Sequence, residues 1–192
     1  MRKKTEAIYR GAPRGGIPTG TPSISDLKAG AIRRRDKQDI LVITPQVIDD
    51  LKRRARALPR KRFRLCMHHS LEDQTQEMVI VAHQGTFIPP HRHPKGKSES
   101  YHVIEGTMTV CLFDHQGTLI HSIEMAKAGG KKPFLYRLST NQWHMPLPTS
   151  QWVVYHETYS GPFKKEEDVE FPPWAPREND KKQVKRFLAA LK

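Results

Sequence analysis

Cysteine is scarce in this chain: Cys66 and Cys111 are the only two among 192 residues, and both sit inside apolar, strand-like runs. Two cannot build a disulfide framework, and neither has a second Cys nearby to form the paired-cysteine spacing of a zinc module, which argues against a disulfide scaffold and a structural zinc module. Reduced core thiols of an intracellular protein are expected instead. Long apolar runs are also missing. No window approaches the roughly 20 apolar residues of a membrane span. The opening MRKKTEAIYRGAPRGGIPTG has no apolar stretch of the kind a secretory leader needs. A cytoplasmic protein with no membrane partner is expected. The hydrophobic share of 36% is below the usual globular range, so part of the chain is expected to stay outside any core.

Charge locates that part. Residues 1–65 carry 18 Lys/Arg against 6 Asp/Glu, and residues 66–192 carry 15 against 14. The net charge of +13 is therefore almost wholly N-terminal. Residues 1–38 are rich in Gly, Pro, Ser, Thr and Arg without apolar periodicity, so they are predicted to form a disordered basic tail. Its Arg33-Arg34-Arg35 run has no interleaved aromatics and no recognition motif after it. A solvated tail is expected rather than a nucleic-acid interface.

From residue 39 onward the pattern is that of one folded domain. Thr44 suits a helix N-cap and Pro45 the first helical position. Val47, Ile48, Leu51, Ala55 and Leu58 then recur at three- and four-residue steps, predicting an amphipathic helix over 45–58. Short β-rich runs follow at 62–68, 78–83, 99–104, 107–113, 119–125, 133–138 and 152–158. They are separated by turn signals at Glu105-Gly106, Asp114 to Gly117, Gly129-Gly130, and Pro146 to Pro148. Strands at hairpin spacing without intervening helices argue for an antiparallel barrel or jelly roll over about 62–160. A last helix is predicted over about 178–191, with Val184, Phe187, Leu188 and Leu191 on one face.

Ten histidines are present, and most carry no signal. His68, His69, His83, His115 and His121 point to nothing in particular. His91 and His93 differ because residues two apart on a strand face the same way, so both imidazoles can reach one point while Arg92 faces elsewhere. Glu99 opens the next strand, and its carboxylate would complete a ligand set suited to a divalent ion such as iron, manganese, nickel or zinc. Tyr101 and Val103 share the face of Glu99 by alternation.

These residues lie in a longer frame: Gly85, five residues, His91-Arg92-His93, five residues, Glu99, six residues, Gly106. The frame resembles the first motif of the cupin superfamily. The segments HRHPKGKSESYHVIEG (91–106), RLSTNQWH (137–144), HETYSGPF (156–163) and FPPWAP (171–176) narrow the likeness. Together they resemble the WbuC-type cupin metalloproteins, and ITPQVIDDLKRRARALPRKR (43–62) resembles the N-terminal helix of that family and the loop after it. The resemblance implies a cupin double-stranded β-helix, or jelly-roll barrel, flanked by an N-terminal and a C-terminal helix. It implies His144 as the third histidine ligand of one divalent metal ion. Two departures stand out. The turn before His144 lacks the usual proline and glycine, and five residues separate His93 from Glu99 where the family has three or four.

Other residues carry weaker expectations. Glu157 and Tyr101 are candidates for acid/base work beside a metal. Lys97, Arg137 and Trp143 are candidates for contact with an anionic small-molecule substrate. Tyr101 and Trp143 fit equally well as core residues. By resemblance, the protein is expected to act in surface-polysaccharide (O-antigen) biosynthesis. A three-histidine, one-carboxylate site with open positions is consistent with a metal-dependent isomerase or dioxygenase on a sugar or sugar nucleotide. A homodimer is expected because the edges of an incomplete barrel need covering. A non-catalytic metal-dependent binding cupin is the main alternative, and nucleic-acid association through the basic N-terminus is a second.

Overall fold

The computed structural model of the protein describes residues 30–33 and 40–191. Among the described residues, nine strands run in chain order: β1 (Ala31–Arg33), β2 (Arg62–Cys66), β3 (Thr75–His83), β4 (Glu99–Glu105), β5 (Thr107–Phe113), β6 (Leu119–Ala126), β7 (Leu135–Leu138), β8 (Trp143–Pro148) and β9 (Trp152–Ser160). Three helices are described with them: α1 (Pro45–Arg56), α2 (Lys165–Asp168) and α3 (Lys181–Ala189). One sheet has the order β1-β2-β3-β9-β4-β7 and the other β6-β5-β8. All pairings are antiparallel except that of β1 with β2. The two sheets face each other across a shared interior, which is the jelly-roll barrel of the cupin fold class.

Alternation sorts the side chains into three cores. Cys66, Met78, Ile80, Tyr101, Val103, Val110 and Tyr155 fill the space between the sheets. Phe63, Leu65, Val79, Val81 and Val154 project from the other face of the larger sheet, and Val47, Leu51 and Ala55 of α1 cover them. Cys111, Phe113, Trp143 and Met145 project outward from the smaller sheet and meet Val184 of α3. Cys66 and Cys111 are both buried and form no disulfide. Among the described residues, no helix is long and apolar enough to cross a membrane.

Three features differ from the sequence reading. Helix α1 is shorter than expected, and Thr44, although in the N-cap position, makes no capping hydrogen bond through its side chain. The stability of α1 therefore rests on Pro45 at its start and on its buried face. The segment taken as a turn, Pro146 to Pro148, is instead part of strand β8. Prolines are tolerated there because β8 is the edge of its sheet: β5 pairs with it on one side, and on the other it bonds to His91 only at His144.

The third difference concerns the expected tail. Its stretch 1–29 and residues 34–39, with Arg34 and Arg35, lie outside the described residues. Residues 30–33 do not fit the expected boundary at residue 38. Ala31 and Ile32 are buried, and Ala31–Arg33 pair in parallel with Arg64–Cys66. A three-residue strand has too few positions to display a period, so no local signal marks it.

One glycine is dictated by the fold. Gly106 ends β4 with φ of 76°, and a Cβ there would lie 2.0 Å from the carbonyl oxygen of Trp152. The β4–β5 reversal, which carries the chain from one sheet to the other, thus requires glycine.

Because Ile32 is 2% exposed within the α1 core, Ile32→Ala is expected to cost about 2–4 kcal/mol in urea-induced unfolding. A loss below about 0.5 kcal/mol would mean that β1 does not contribute to the domain.

Candidate metal centre

His91 and His144 come together through their backbones. The His91 N–H donates to the His144 carbonyl at 3.0 Å and the His144 N–H donates to the His91 carbonyl at 2.8 Å. This two-bond exchange sets the residues side by side on neighbouring segments, with ring centroids 4.3 Å apart. His93 follows on the same face, its ring 5.2 Å from His91 and 5.3 Å from His144. Arg92, between them, points away. Its backbone bridges to Glu170, its guanidinium donates to both Glu170 carboxylate oxygens at 2.7 and 2.8 Å, and it lies 4.2 Å from the Trp143 ring.

Glu99 completes the group. Residues 94–98 form a turn in which the Lys97 N–H donates to the Pro94 carbonyl, and Gly96 takes a positive φ. The extra loop residue is absorbed there, so Glu99 still opens β4 and points inward, 2% exposed. Its Oε1 lies 3.3 Å from His93 Nε2, and its Oε2 lies 3.0 Å from His144 Nε2. One ligand atom from each of His91, His93, Glu99 and His144 falls within 4.8 Å of all the others.

Each imidazole is oriented from behind. His91 Nδ1 is 3.0 Å from the Pro89 carbonyl, His93 Nδ1 2.7 Å from the Asp168 carbonyl, and His144 Nδ1 3.0 Å from the Gln142 carbonyl. A carbonyl only accepts, so each Nδ1 carries the proton and each Nε2 presents its lone pair forward. Further contacts hold the supports: Asn141 Nδ2 donates to the His93 carbonyl and Gln142 Nε2 to that of Phe113.

The donor set fits a divalent ion. An ion bound at about 2.1 Å separates adjacent ligand atoms by about 3 Å, close to the 3.3 and 3.0 Å that separate Glu99 from His93 and His144. His144 Nε2 and Glu99 Oε2 are fully buried, and despite their 3.0 Å approach neither has an aligned hydrogen-bond partner. Two orphaned acceptors facing one another are costly unless a cation lies between them. Burial, reinforced by the neighbouring His144, pushes the His91 pKa down to about 3, so this ring is neutral and able to ligate. Burial opposes charge on Glu99 and His93 as well. For Glu99 the neighbouring His144 prevails, with His93 adding to it, and holds the carboxyl well below the ordinary range; for His93 the hydrogen bond and charge of Glu99 prevail and raise it.

His91, His93 and Glu99 line a cavity of about 790 Å³, within the range that takes a small molecule. Tyr101 lines it but is 1% exposed, with its ring stacked on Tyr136 and edge-on to Tyr155, so it is chiefly a wall. Glu157 also lines the cavity. Burial, with the Glu99 charge adding to it, raises its carboxyl to about 8 against the opposing pull of Arg64 and His93.

Lys97, Arg137 and Trp143 do not line the cavity. Lys97 clamps the loops instead. Its ammonium donates to the carbonyls of Ser160 and Pro162 at 3.2 and 2.6 Å and lies 3.5 Å from the Asp168 carboxylate. Arg137 is exposed on β7 and bonds Ser98 Oγ at 3.0 Å. Trp143 alternates with His144 on β8 and therefore faces outward, into the α3 core.

Sequence reasoning missed Arg64, His68 and Asp168. Arg62, Arg64, Cys66 and His68 share the inward face of the β2 segment, but polar residues on a strand read as solvent-facing unless the barrel interior is known to be polar. Asp168 lies in the charged run KKEED, which carries no distinguishing signal. Its carboxylate accepts from the Lys164 N–H at 2.6 Å and from the Tyr159 hydroxyl at 3.1 Å, while its carbonyl orients His93.

A family model described as a domain of unknown function, DUF6016, matches residues 43–125, less than half of the chain. No protein with a curated description matches. Among solved structures, a Shewanella oneidensis protein is 10% identical with a TM-score of 0.48, covering 57% of this chain and 72% of its own. The L-ribose isomerase of Cellulomonas parahominis is 14% identical with a TM-score of 0.46, covering 57% and 69% respectively. The cupin domain of Schizosaccharomyces pombe Cnp3 is 13% identical with a TM-score of 0.41, covering 52% and 64%. A recombinant oxalate oxidase solved with glycolate is 14% identical with a TM-score of 0.40, and this chain spans only 46% of its length. At this distance neither activity nor ligand transfers from one chain to another.

If Lys97 is a clamp, Lys97→Met lowers unfolding stability by about 1–3 kcal/mol. A variant as stable as the wild type but weakened in small-molecule binding would return Lys97 to the substrate role.

Proposed function

We propose that the protein is a metalloenzyme whose single divalent ion is held by His91, His93, Glu99 and His144, and whose cavity takes a sugar or sugar-nucleotide-like anionic molecule. The observation that carries this reading is the convergence of three forward-facing Nε2 atoms and one buried carboxylate, with two of the atoms unsatisfied. Iron, manganese, nickel and zinc all suit such a set. The likeness of residues 43–62, 91–106, 137–144, 156–163 and 171–176 to WbuC-type cupins supports placing it in surface-polysaccharide biosynthesis.

When bound, the ion would supply Lewis acidity, polarising a carbonyl or hydroxyl oxygen of the substrate. The other contributions come from the chain. Tyr101, Tyr136 and Tyr155 wall the interior. Burial pushes all three phenols above their ordinary range, so they remain neutral. Glu157 faces the cavity and holds its carboxyl proton at neutral pH, where it can exchange that proton with a bound oxygen or carbon acid. A proton-exchanging carboxyl beside the ligand cluster favours a catalyst over a pure binding protein, and an isomerisation, which moves protons, over oxidative cleavage.

Protein purified without a His-tag and exposed separately to iron, manganese, nickel and zinc is expected to retain one ion per chain by elemental analysis. His91→Ala, Glu99→Gln and His144→Ala are each expected to lose it with circular dichroism unchanged. At a free metal concentration of 100 times Kd, the wild type gains about 2.7 kcal/mol of stability. Wild-type protein that stays metal-free in all four trials would end the proposal.

Catalysis is checked separately, as metal-dependent consumption of candidate sugar nucleotides. Glu157→Gln is expected to lower kcat by about 100-fold or more with metal content intact. Turnover unaffected by that substitution would remove Glu157 from the chemistry. Metal-dependent ligand binding without any turnover would favour the non-catalytic alternative.

A further inference from the structure

The cavity has a second chemical pole, on β2 of the sheet whose β4 carries Glu99. Arg62, Arg64 and Cys66 alternate with Phe63 and Leu65 on β2, and the latter two face α1. The former three therefore look into the barrel, where Cys66 belongs to the interior core and Arg62 and Arg64 line the cavity. β2 is held between β1 and β3, so these arginines stand on a strand that is paired on both sides.

The cations around the cavity differ in what already engages them. Arg62 donates to the Phe87 carbonyl at 2.7 Å and lies 3.4 Å from the Glu178 carboxylate, which Arg60 also approaches at 3.1 Å. Lys164 lies 3.3 Å from Glu167. Among the described residues, the Arg64 guanidinium makes no hydrogen bond or ion pair. It lines the cavity, where its side chain is exposed rather than buried. Lys165 shares the rim, but from the start of the four-residue helix α2.

Position gives the span of a ligand. In the order β2-β3-β9-β4, Arg64 and Glu99 are three strand spacings apart. Arg64 is also in register with Val103, four residues along β4 from Glu99, so the two backbones lie roughly 19 Å apart along the curved sheet, and the long arginine side chain spans part of that gap. Arginine's planar fork suits a terminal oxyanion better than a point charge does.

We propose that Arg64 is the anion-binding residue of this cavity, taking the terminal phosphate or carboxylate of a small molecule whose hydroxyl or carbonyl oxygens lie toward His91, His93, Glu99 and His144. Only the far end of the ligand rests on the metal-centre reading; the anion pole does not.

The test titrates inorganic phosphate and, separately, acetate into the full chain by calorimetry, with and without bound metal. Phosphate or acetate binding is expected to weaken at least tenfold in Arg64→Gln and less in Arg64→Lys. It is expected to be unchanged in Arg137→Gln, whose guanidinium lies outside the cavity, and to persist in His91→Ala. The anion that shows this dependence identifies the terminal group. Three results would overturn the inference: no binding of either anion, equal weakening by Arg137→Gln, or wild-type binding in Arg64→Gln. Anion binding lost in His91→Ala but kept in Arg64→Gln would place the anion on the metal, which overturns Arg64 and leaves the metal centre standing. Arg64-dependent binding in protein that takes up no metal would do the reverse.

Discussion

The exchange of two backbone hydrogen bonds between His91 and His144 is the contact on which the site depends. It joins the start of the β3–β4 connection to edge strand β8, two segments more than fifty residues apart in sequence. Because the bonds are made by the ligand residues' own backbones, ring placement follows directly from sheet geometry. His93 then inherits its face from strand alternation, and Arg92 is turned outward onto Trp143 and Glu170. β8 can offer this second edge because its other side is already satisfied by β5. The prolines that make β8 look like a turn are compatible with that geometry, since Pro146 and Pro148 lie beyond the bridge.

Around this contact the barrel carries out an electrostatic arrangement that a hydrophobic core would not need. A buried carboxylate costs several kcal/mol unless it is paired. Glu99 approaches two imidazoles in the present structure, but its Oε2 has no hydrogen-bond partner there, and a cation would satisfy it. The three carbonyls behind the rings fix the tautomers, so the ligand set is organised before any ion arrives. One of those carbonyls belongs to Asp168, whose carboxylate also gathers Tyr159, the Lys164 N–H and Lys97. The segment after β9 is thus part of the support of His93, and Lys97 serves the site by holding this segment against the 94–98 loop.

Much of this was legible in the sequence. The strands from β2 to β7 and β9, helix α1 and the C-terminal helix all announce themselves by period, because each buries one face. The pair His91 and His93 follows from alternation, and resemblance supplies His144. Glu99 was in doubt from spacing alone, and the turn at 94–98 resolves it. What was not legible depends on long-range pairing. β1 is too short to show a period, and its parallel partner lies about thirty residues away. The positions of Lys97, Arg137 and Trp143 depend on which side of each strand the core occupies, and local pattern does not contain that information.

Trp143 and Arg64 show the same limit from opposite directions. Alternation assigns residues to two faces of a strand, but it does not say which face is inside. The usual shortcut sends the apolar face inward. That shortcut fails when both faces are covered and the inner one surrounds a polar cavity. On β8 the large apolar Trp143 faces outward under α3, and the imidazole of His144 faces in, toward Glu99. On β2 the apolar Phe63 and Leu65 face outward under α1, and Arg62 and Arg64 face in. Helices on the outer faces of both sheets thus invert the pattern, and in this barrel the inverted positions are the ones that surround the cavity. An amphipathic helix predicted on either side of such strands is therefore itself evidence about the site: it provides the cover that lets polar residues turn inward.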